Sequence, residues 1–413
     1  MISGLNLDFE SNLGKFRICF LNKVILKLKK KHYKCLLINI LFFCVFHSET
    51  VFASKEPIIR VLISKNNNVR IRSDKSIPLT IDGKLFSRKK IKGLTLKNEK
   101  NRNILFFDKN KQKIYDLKSN QKFQVMSSDG RGIWVGQKRF SGKLNLFVLD
   151  SEILVVNVLG IEKYLSSVVG SEMPTKWPME ALKAQAIASR TYALKQKGNN
   201  LFDIDSTQRT QVYNGLESRT YKTIRAVKST RSLVLIYKNK LINALFHSSS
   251  GGMTENSQDV WKNQYPYLSS VKDFDKKNPK FRWQKNFSNK ELLNLFPKIG
   301  GIKNIEILNI TDTGRVKNVK LFGAYGSEQM SGVDLRKKLG LNSTLVRFKL
   351  IEEQSNKFST KKGLVVFGQG SGHGVGMSQW GAKDMATKGQ KAEKILKHFY
   401  QGVQIKPFRK DYL

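Results

Sequence analysis

The sequence predicts an α+β protein in which a β-rich N-terminal region is followed by a mixed domain of helices and strands. Residues 57–156 consist of short β-rich runs separated by turn signals such as Asp82-Gly83 and Asp129-Gly130. Beyond them, an alanine-rich helical segment at 178–197 precedes further strand-like and helical runs. The 413 residues are enough for two or three domains.

The first 53 residues have the layout of a secretory signal peptide. A basic run from Lys27 is followed by the apolar segment Leu36–Phe46 and by Val51-Phe52-Ala53, which resembles a cleavage site. The apolar segment is shorter than the about 20 residues that a membrane-spanning helix needs. We therefore expect an exported protein of the periplasm or cell envelope, with an uncleaved N-terminal membrane anchor as the alternative.

The composition is strongly basic, with 74 lysine and arginine residues against 32 acidic ones and a formal net charge of +42. Such a charge predicts an anionic partner or surface. After export, the anionic partners on offer are cell-wall polymers and membrane lipids, which argues against nucleic acid. All three cysteines, Cys19, Cys35 and Cys44, lie in the leader, so a chain cleaved after Ala53 has no disulfide and no thiolate metal site.

We divide the rest of the chain into a β-rich region, 54–155, a second domain, 156–404, and a basic tail, 405–413. The β-rich region contains many lysines and few candidate catalytic groups, so we interpret it as a scaffold. The run Ile153–Leu159 is apolar throughout and predicts a buried strand. Residues 270–362 are basic and carry no recognisable chemistry, which indicates an insertion or subdomain.

The segment from Gly170 to Gly198 contains a helix whose two ends are marked in the sequence. Pro178 suits the first helical position, and Glu180 then lies where a carboxylate caps the first turn. Gly198 suits the position just after the last turn. The five alanines in between predict close packing against other elements.

Glu172 precedes this helix on a segment that two prolines constrain. Met173 and Trp177 each come before a proline, which pushes both towards extended conformations. A solvated loop acid and a general acid held beside the start of a helix are both compatible with this local sequence. Glu180, by contrast, is explained by its capping role.

Downstream, the sequence predicts a short helix at 218–230 and a hairpin of Leu233–Tyr237 with Leu241–Phe246. The aromatic segment Trp261–Tyr267 is typical either of loops that stack on sugar faces or of core packing. Two more helices are predicted, at 289–296 and 392–400.

A strand-like run, Gly363–Gly368, leads into a loop in which every second residue up to Gly376 is glycine. Such loops let a ligand approach backbone amides, although neither the P-loop pattern nor the dinucleotide-binding pattern is present. His373, in the middle of this loop, is a candidate general base, metal ligand or structural donor. With five histidines and no H-x-x-x-H pair, the metal is the weakest of these alternatives.

Five motifs resemble, in their order and spacing, those of the stage II sporulation protein D family (SpoIID/LytB). They are GSEMPxxWPxEALKAQAIASRTYAL, QVYNG, FHSSSGG, YPYL and GxGHGVGMSQWGA, and the resemblance covers residues 156–404. The family includes lytic transglycosylases, which cut the glycan strands of peptidoglycan, and proteins described as enhancers of cell-wall amidases. The resemblance therefore implies a catalytic domain with a substrate groove.

The resemblance also implies that Glu172, in the E-M-P motif, is the catalytic acid. Arg190 matches the helix arginine of the family, and His247 and His373 match its histidine-containing segments. Some relatives carry a zinc site with cysteines beside the first of these histidines, whereas HSSSGGMTEN has none, so we expect no metal and no cofactor. The candidate substrate-binding residues are Arg190, Gln185, Gln211, Tyr213, His247, Tyr265, Tyr267, His373 and Gln379.

The predicted function is that of an exported peptidoglycan lytic transglycosylase, which cleaves the MurNAc–GlcNAc bond with formation of 1,6-anhydroMurNAc. One carboxyl suffices, because the C6 hydroxyl of muramic acid attacks the anomeric carbon and Glu172 acts first as acid and then as base. Its pKa should be raised by burial and by an apolar neighbour such as Met173, Trp177 or Trp380. We expect the loop around His373 to face this acid across the groove.

Two other functions remain open at this stage. The first is a non-catalytic module that binds glycan strands and enhances an N-acetylmuramoyl-L-alanine amidase. The second is a basic nucleic-acid binder, which the predicted export disfavours. For the transglycosylase and for the enhancer alike, the expected partners are peptidoglycan and an anionic wall or membrane surface. The enhancer would also bind the amidase.

Overall fold

The computed structural model describes residues 56–413 except 75–76, 100–101, 108–113, 197, 199, 262 and 357–358. The predicted leader and all three cysteines lie outside the described residues. Glu56–Leu413 belong to one structural unit. No helix in this described part combines the length and the hydrophobicity that crossing a bilayer would require.

The described elements confirm the α+β class, because strands dominate up to residue 160 and helices appear from Ile161 onwards. The strands are β1 Ile58–Asn66, β2 Asn68–Arg72, β3 Leu79–Asp82, β4 Lys89–Ile91, β5 Gly93–Glu99, β6 Arg102–Phe107, β7 Ile114–Leu117, β8 Lys122–Met126, β9 Ile133–Val135, β10 Lys138–Phe140, β11 Lys143–Val148, β12 Ile153–Gly160, β13 Ile204–Asp205, β14 Leu233–Tyr237, β15 Lys240–Leu241, β16 Phe246–His247, β17 Arg282–Phe287, β18 Asn304–Ile310, β19 Val316–Phe322, β20 Ser327–Ser331, β21 Val346–Asn356, β22 Ser359–Gln369, β23 Met377–Ser378 and β24 Gln404–Pro407. The α-helices are α1 Ile161–Glu172, α2 Met179–Lys195, α3 Tyr221–Ser229, α4 Ser257–Val260, α5 Asn289–Leu295, α6 Gly332–Leu339, α7 Gln379–Thr387 and α8 Ala392–Phe399.

The β-rich region forms two sheets that share one hydrophobic core. Their strand orders are β13-β1-β12-β11-β8-β3-β4 and β10-β9-β2-β5-β6-β7. Strand β12 is almost entirely buried between β1 and β11, as the apolar run Ile153–Leu159 predicts. Strand β13 comes from beyond residue 200 and pairs in parallel with β1, so the first sheet continues past residue 155 into the second domain.

Helix α2 is the centre of the helical layer. It packs against α1, α3, α7 and α8 and against strand β14. Its five alanines are all buried, as predicted. Small side chains let these neighbours approach the helix closely, so most of the surface of α2 is buried.

The two ends of α2 differ from the prediction. Pro178 is the residue before the helix and not its first residue. Glu180 caps a different helix, because its Oε2 accepts a hydrogen bond from the Ala392 N–H at the start of α8, at 2.9 Å. Helix α2 ends before Gly198, with Gln196 as its C-cap.

Strands β14 and β15 form the predicted hairpin, with Lys238 and Asn239 in the left-handed conformation that such turns require (φ 48° and 58°). The predicted second strand is divided into β15 and β16, and β16 pairs in parallel with β23. On its other side, β14 pairs with β24. Part of the predicted basic tail is therefore a strand, and Tyr412 is buried beside β14.

Residues 282–369 contain two three-stranded sheets, β17-β22-β21 and β18-β19-β20. Together with α5 and α6 they enclose a second hydrophobic cluster, which includes Leu292, Val319, Leu335 and Val366. This part overlaps the range 270–362 that the composition distinguishes, and its last strand leads directly into the glycine-rich loop.

Candidate active site

Glu172 is the last residue of helix α1, which corrects the expected position on a loop. Met173 adopts the extended conformation that its position before Pro174 predicts (φ −127°, ψ 141°), and this ends the helix. The carboxylate therefore lies at the negative end of a helix dipole, where its charged form is disfavoured.

Both carboxylate oxygens of Glu172 contact donors from distant parts of the chain. The Val212 N–H donates to Oε1 at 2.7 Å, and Gln379 Nε2 donates to Oε2 over a longer 3.4 Å. Val212 belongs to the QVYNG motif, and Gln379 begins α7 just after the glycine-rich loop. Three of the five motifs therefore meet at this acid.

Burial raises the pKa of Glu172 from an ordinary 4.5 to about 6, against the lowering effect of the Val212 N–H and the Gln379 amide. This is the direction that the sequence predicts. The carboxyl thus exchanges its proton close to neutral pH, where a group that must both give and take a proton works best.

Trp177, five residues after Glu172, packs against Trp380, which directly follows Gln379. The ring centroids of Trp177 and Trp380 are 4.9 Å apart at an interplanar angle of 65°. Lys383 Nζ lies over both rings, 5.3 Å from the first centroid and 4.1 Å from the second. Trp177 is buried, whereas Trp380 keeps part of its surface accessible.

The position of α1 depends on Gly170. A Cβ at this residue would lie 1.9 Å from the carbonyl oxygen of Ser218. Ser218 Oγ also donates to the carbonyl oxygen of Ser167 in α1, at 2.9 Å. The end of α1 is therefore held tightly against the segment that supplies the Val212 N–H.

Arg190, expected to bind substrate, is instead part of a buried ion pair. It donates to both carboxylate oxygens of Glu162, at 3.0 Å and 2.6 Å, and to the carbonyl oxygen of Leu233 at 3.0 Å. Glu162 lies near the start of α1, about 15 Å along the helix axis from Glu172. Arg190 is fully buried, so it joins α2 to α1 and does not face a substrate at the acid.

Gln185, Gln211 and Tyr213 are also buried, which contradicts their expected contact with sugars. Gln185 donates to Ser189 Oγ at 2.9 Å, and Gln211 donates to the Ser189 carbonyl oxygen at 3.2 Å. The Tyr213 hydroxyl donates to Asn157 at 2.8 Å. The QVYNG motif therefore serves the acid through its backbone, while its larger side chains hold the core.

His373 uses both of its ring nitrogens within the protein. Nε2 donates to the carbonyl oxygen of Phe246 at 3.1 Å, and Nδ1 accepts from the Val375 N–H at 3.1 Å. Burial lowers the pKa of His373 to about 4, so the ring is neutral. The contact of this loop region with Glu172 is made by Gln379, and the geometry gives His373 no role as a general base.

His247 lies beside it, with ring centroids 5.4 Å apart. Its Nδ1 donates to the carbonyl oxygen of Val375 at 3.1 Å, and burial lowers its pKa. A Cβ at Gly372, where φ is 112°, would lie 2.7 Å from the Cβ of His247. The missing side chain of Gly372 therefore makes room for His247, whereas we expected the glycine-rich loop to make room for a ligand.

Tyr265 and Tyr267 stack on each other, with centroids 5.4 Å apart and an interplanar angle of 28°. Tyr267 is buried, and its hydroxyl accepts from the Asn243 N–H at 3.2 Å. Tyr265 is only half-buried. Core packing thus explains Tyr267, while Tyr265 keeps a surface on which a sugar can stack.

Sequence reasoning missed Asp273 and Asp275, which organise the FHSSSGG motif. Asp275 accepts a hydrogen bond from Ser249 Oγ at 2.5 Å, and Asp273 accepts one from Ser250 Oγ at 2.6 Å. Burial and the neighbouring Asp275 raise the pKa of Asp273 to about 7. The signal that was available is the pair of acids two residues apart, just after YPYL, in a chain otherwise rich in lysine.

Two family models match parts of this chain. One, described as a stage II sporulation protein, matches residues 149–237, which include Glu172 and Val212. The other, described as a domain of unknown function, matches residues 257–376, which include the second hydrophobic cluster and His373.

The chain is also similar to curated proteins over more than half of its length. It is 36% identical over 271 residues to the stage II sporulation protein D of Bacillus subtilis, which covers 60% of this chain and 75% of that protein. It is 35% identical over 277 residues to an uncharacterized protein of Brachyspira hyodysenteriae, with 64% and 72% covered. It is 31% identical over 293 residues to the amidase enhancer of Bacillus subtilis, with 58% of this chain but 40% of that protein covered.

Proposed function

The chain belongs to the stage II sporulation protein D family, and on that premise we propose that it is an exported lytic transglycosylase of peptidoglycan. It would cleave the MurNAc–GlcNAc bond of glycan strands and leave 1,6-anhydroMurNAc ends. The observation that carries the proposal is the environment of Glu172, a half-buried carboxyl with a pKa of about 6 at which three motifs meet.

The two oxygens of Glu172 are suited to different tasks. The Val212 N–H holds Oε1 at 2.7 Å and favours negative charge on that atom. The Gln379 contact to Oε2 is 3.4 Å long and therefore weak. We assign the acidic proton to Oε2, since protonation there leaves the stronger hydrogen bond intact.

The reaction then needs no second carboxyl. Oε2–H gives its proton to the glycosidic oxygen as the bond to the anomeric carbon breaks, which releases the leaving sugar as an alcohol. The carboxylate next accepts the proton of the C6 hydroxyl as that oxygen bonds to the anomeric carbon. The proton given in the first step is regained in the second, and no water is consumed.

The alternative function is a non-catalytic wall-binding protein that enhances a cell-wall amidase. The similarity to the amidase enhancer of Bacillus subtilis supports it. The net charge of +42 is compatible with both functions, because either protein must remain close to an anionic wall.

The experiment that separates the two functions uses Glu172→Gln. Purified wild type and variant are incubated with intact and with amidase-treated sacculi, and the released fragments are identified by mass. We expect the variant to bind glycan and to release anhydro products about 100- to 10,000-fold more slowly, since it keeps the shape but loses the proton.

Glu393→Gln is the matched control, because Glu393 is an exposed acid on α8 whose one ionic partner among the described residues is Lys397. It should cleave like wild type. Release of no anhydro product by wild type, together with faster amidase action in its presence, would contradict the enzyme and support the enhancer.

A further inference from the structure

A cavity of about 810 Å³ lies between α4 and its following loop on one side and strand β19 with helix α6 on the other. Its charged lining residues are Glu255, Asp259, Arg315, Lys317, Arg336 and Lys337. Trp261 and His373 also contribute to the wall, whereas Glu172 and Gln379 do not. Its volume is within the range typical of small-molecule sites.

The acids of this cavity are already matched by two of its cations. Glu255 lies 3.5 Å from Arg315 Nε and is completely buried. Asp259 pairs with Lys317 at 3.0 Å. Neither acid is therefore available to balance a further positive charge in the wall.

Of the two cations that remain, Lys337 pairs with Asp334 at 3.7 Å, whereas Arg336 has no acidic partner among the described residues. Its Nε donates to the carbonyl oxygen of Leu341 at 3.2 Å, which fixes the base of the guanidinium group. Within the described part of the chain its two Nη groups have no hydrogen-bond partner and it forms no ion pair. The side chain is half-buried, and burial lowers its pKa, so a bound anion would relieve an unfavourable environment.

Trp261 places an aromatic surface at the same cavity. It is 42% exposed, unusual for so large a side chain, and its ring lies 5.2 Å from that of His373. The apolar face of the Trp261 ring can stack on a sugar ring, and the two Nη groups of Arg336 can donate to both oxygens of a carboxylate on that sugar.

We propose that this cavity binds a carboxylated sugar, with the carboxylate on the Nη groups of Arg336 and one face of the ring on Trp261. A singly charged carboxylate matches the wall better than a doubly charged phosphate, because among the described residues Arg336 alone of the four wall cations has no acidic partner. The site goes beyond the proposed function, because Glu172 takes no part in it. Muramic acid and the uronic acids of wall polymers share the required chemistry.

The cavity is within reach of a glycan strand that occupies the Glu172 site. His373 precedes Gln379 by six residues, and six residues span at most about 22 Å. A strand several sugars long can therefore contact both places, which would let the second site hold the polymer while Glu172 acts on it.

The test follows the indole signals of ¹⁵N-tryptophan-labelled protein, which contains five tryptophans. N-acetylmuramic acid and glucuronic acid are the probes, and N-acetylglucosamine is the neutral control. We expect both acids to shift the Trp261 signal at concentrations at least about tenfold lower than the neutral sugar, as one charged hydrogen-bonded contact would give. The acid that binds more tightly identifies the source of the natural ligand.

Arg336→Gln should remove this preference for acids, and Arg347→Gln should not, since Arg347 is exposed on β21 outside the cavity. If Arg336→Gln fails to fold, as judged by the other four indole signals, Arg336→Lys and Trp261→Ala replace it, and each should weaken acid binding. The proposal would be overturned if the acids and the neutral sugar bound equally well, or if acid binding were unchanged in these variants. It would also be overturned if inorganic phosphate displaced the bound acid at a concentration lower than that of the acid. Glycan cleavage is not measured, so failure here is distinct from failure of the Glu172 mechanism.

Discussion

Glu172 and Glu180 lie eight residues apart in one motif, but their carboxylates have different electrostatic surroundings. Glu180 binds Lys183 and the start of α8, so its charge is balanced. Among the described residues, Glu172 has two neutral donors and no cation within hydrogen-bonding distance, and its pKa is raised. The same difference separates Arg190, which is paired with an acid, from Arg336, which is not.

Glu172→Gln should stabilise the fold at high pH and leave it unchanged at low pH. Because the pKa rises from 4.5 to about 6 on folding, the ionised side chain costs the folded state free energy above pH 6 and nothing below pH 4.5. The gain at pH 8 is about 2 kcal/mol. Denaturant unfolding of both proteins at pH 4 and pH 8 measures it, and an equal difference at the two pH values would contradict the raised pKa.

Arg190→Gln and Glu162→Gln should destabilise the protein to similar extents, by about 3 kcal/mol each. Either change leaves the other partner of the ion pair largely buried without compensation. Urea unfolding of both single variants and of the double variant measures this, and the double variant should cost less than the sum of the single ones. A direct role of Arg190 in substrate binding would instead lower the activity of its variant alone while both remain folded.

At the scale of elements, two helices around the site are capped by acids that are distant in sequence. Glu56 accepts a hydrogen bond from the Glu162 N–H at the start of α1, at 2.9 Å, and Glu180 does the same for α8. The N-cap residues of these helices supply no side-chain hydrogen bond. Helices α3 and α5, in contrast, begin with local capping boxes at Thr220 and Ser288. The first two helices thus depend on tertiary contacts for their starts.

Gly170→Ala should destabilise the protein by about 1–3 kcal/mol. Alanine ordinarily favours a helix over glycine by roughly 0.5–1 kcal/mol, so the sign of the effect is informative. Here the new Cβ would lie 1.9 Å from the Ser218 carbonyl oxygen, and α1 must move away from the segment that carries Val212. The raised pKa of Glu172 and the cleavage rate should change with it.

Gly130→Ala is the control for this change, because a Cβ at Gly130 would meet no atom of the described residues within 4 Å apart from its own chain neighbours. Its unfolding midpoint should stay close to that of wild type. Measured by denaturant unfolding, a Gly170→Ala protein as stable as Gly130→Ala would mean that α1 does not approach Ser218 so closely.

Across the molecule, the two largest hydrophobic clusters of the described residues have different roles. The first cluster contains residues of both the β-rich region and the helical layer, so the helix that carries Glu172 packs directly on the β-rich region. The second belongs to residues 282–369 and supplies Arg336 to the cavity that Trp261 and His373 complete. The carboxylated-sugar site thus depends on both parts, and the Glu172 site draws its three motifs from outside the second core.

The choice of Glu172 as the acid rested on the resemblance to the family, because the local sequence is equally compatible with a solvated loop acid. From the sequence alone we could predict the α+β class, the buried strand β12 and the alanine-rich helix α2. These features rest on signals between neighbouring residues. Alternating and helical periodicity, turn residues and the restriction that Pro174 imposes on Met173 act over a few positions, and they hold whatever the rest of the chain does.

The contacts of the other predicted site residues depend on how distant segments pack together. Nothing adjacent in sequence indicates that Arg190, Gln211 and Tyr213 are buried. In the same way, the neighbours of His373 do not indicate that its Nε2 is hydrogen-bonded within the protein. His373 accepts one hydrogen bond from Val375, two residues away. The other hydrogen-bond partners of these side chains lie 22 to 127 residues away, as in the contacts from Gln211 to Ser189 and from His373 to Phe246. Burial and ion pairing arise when distant segments pack together, so a local pattern marks such residues as important without showing whether they face the substrate or the core.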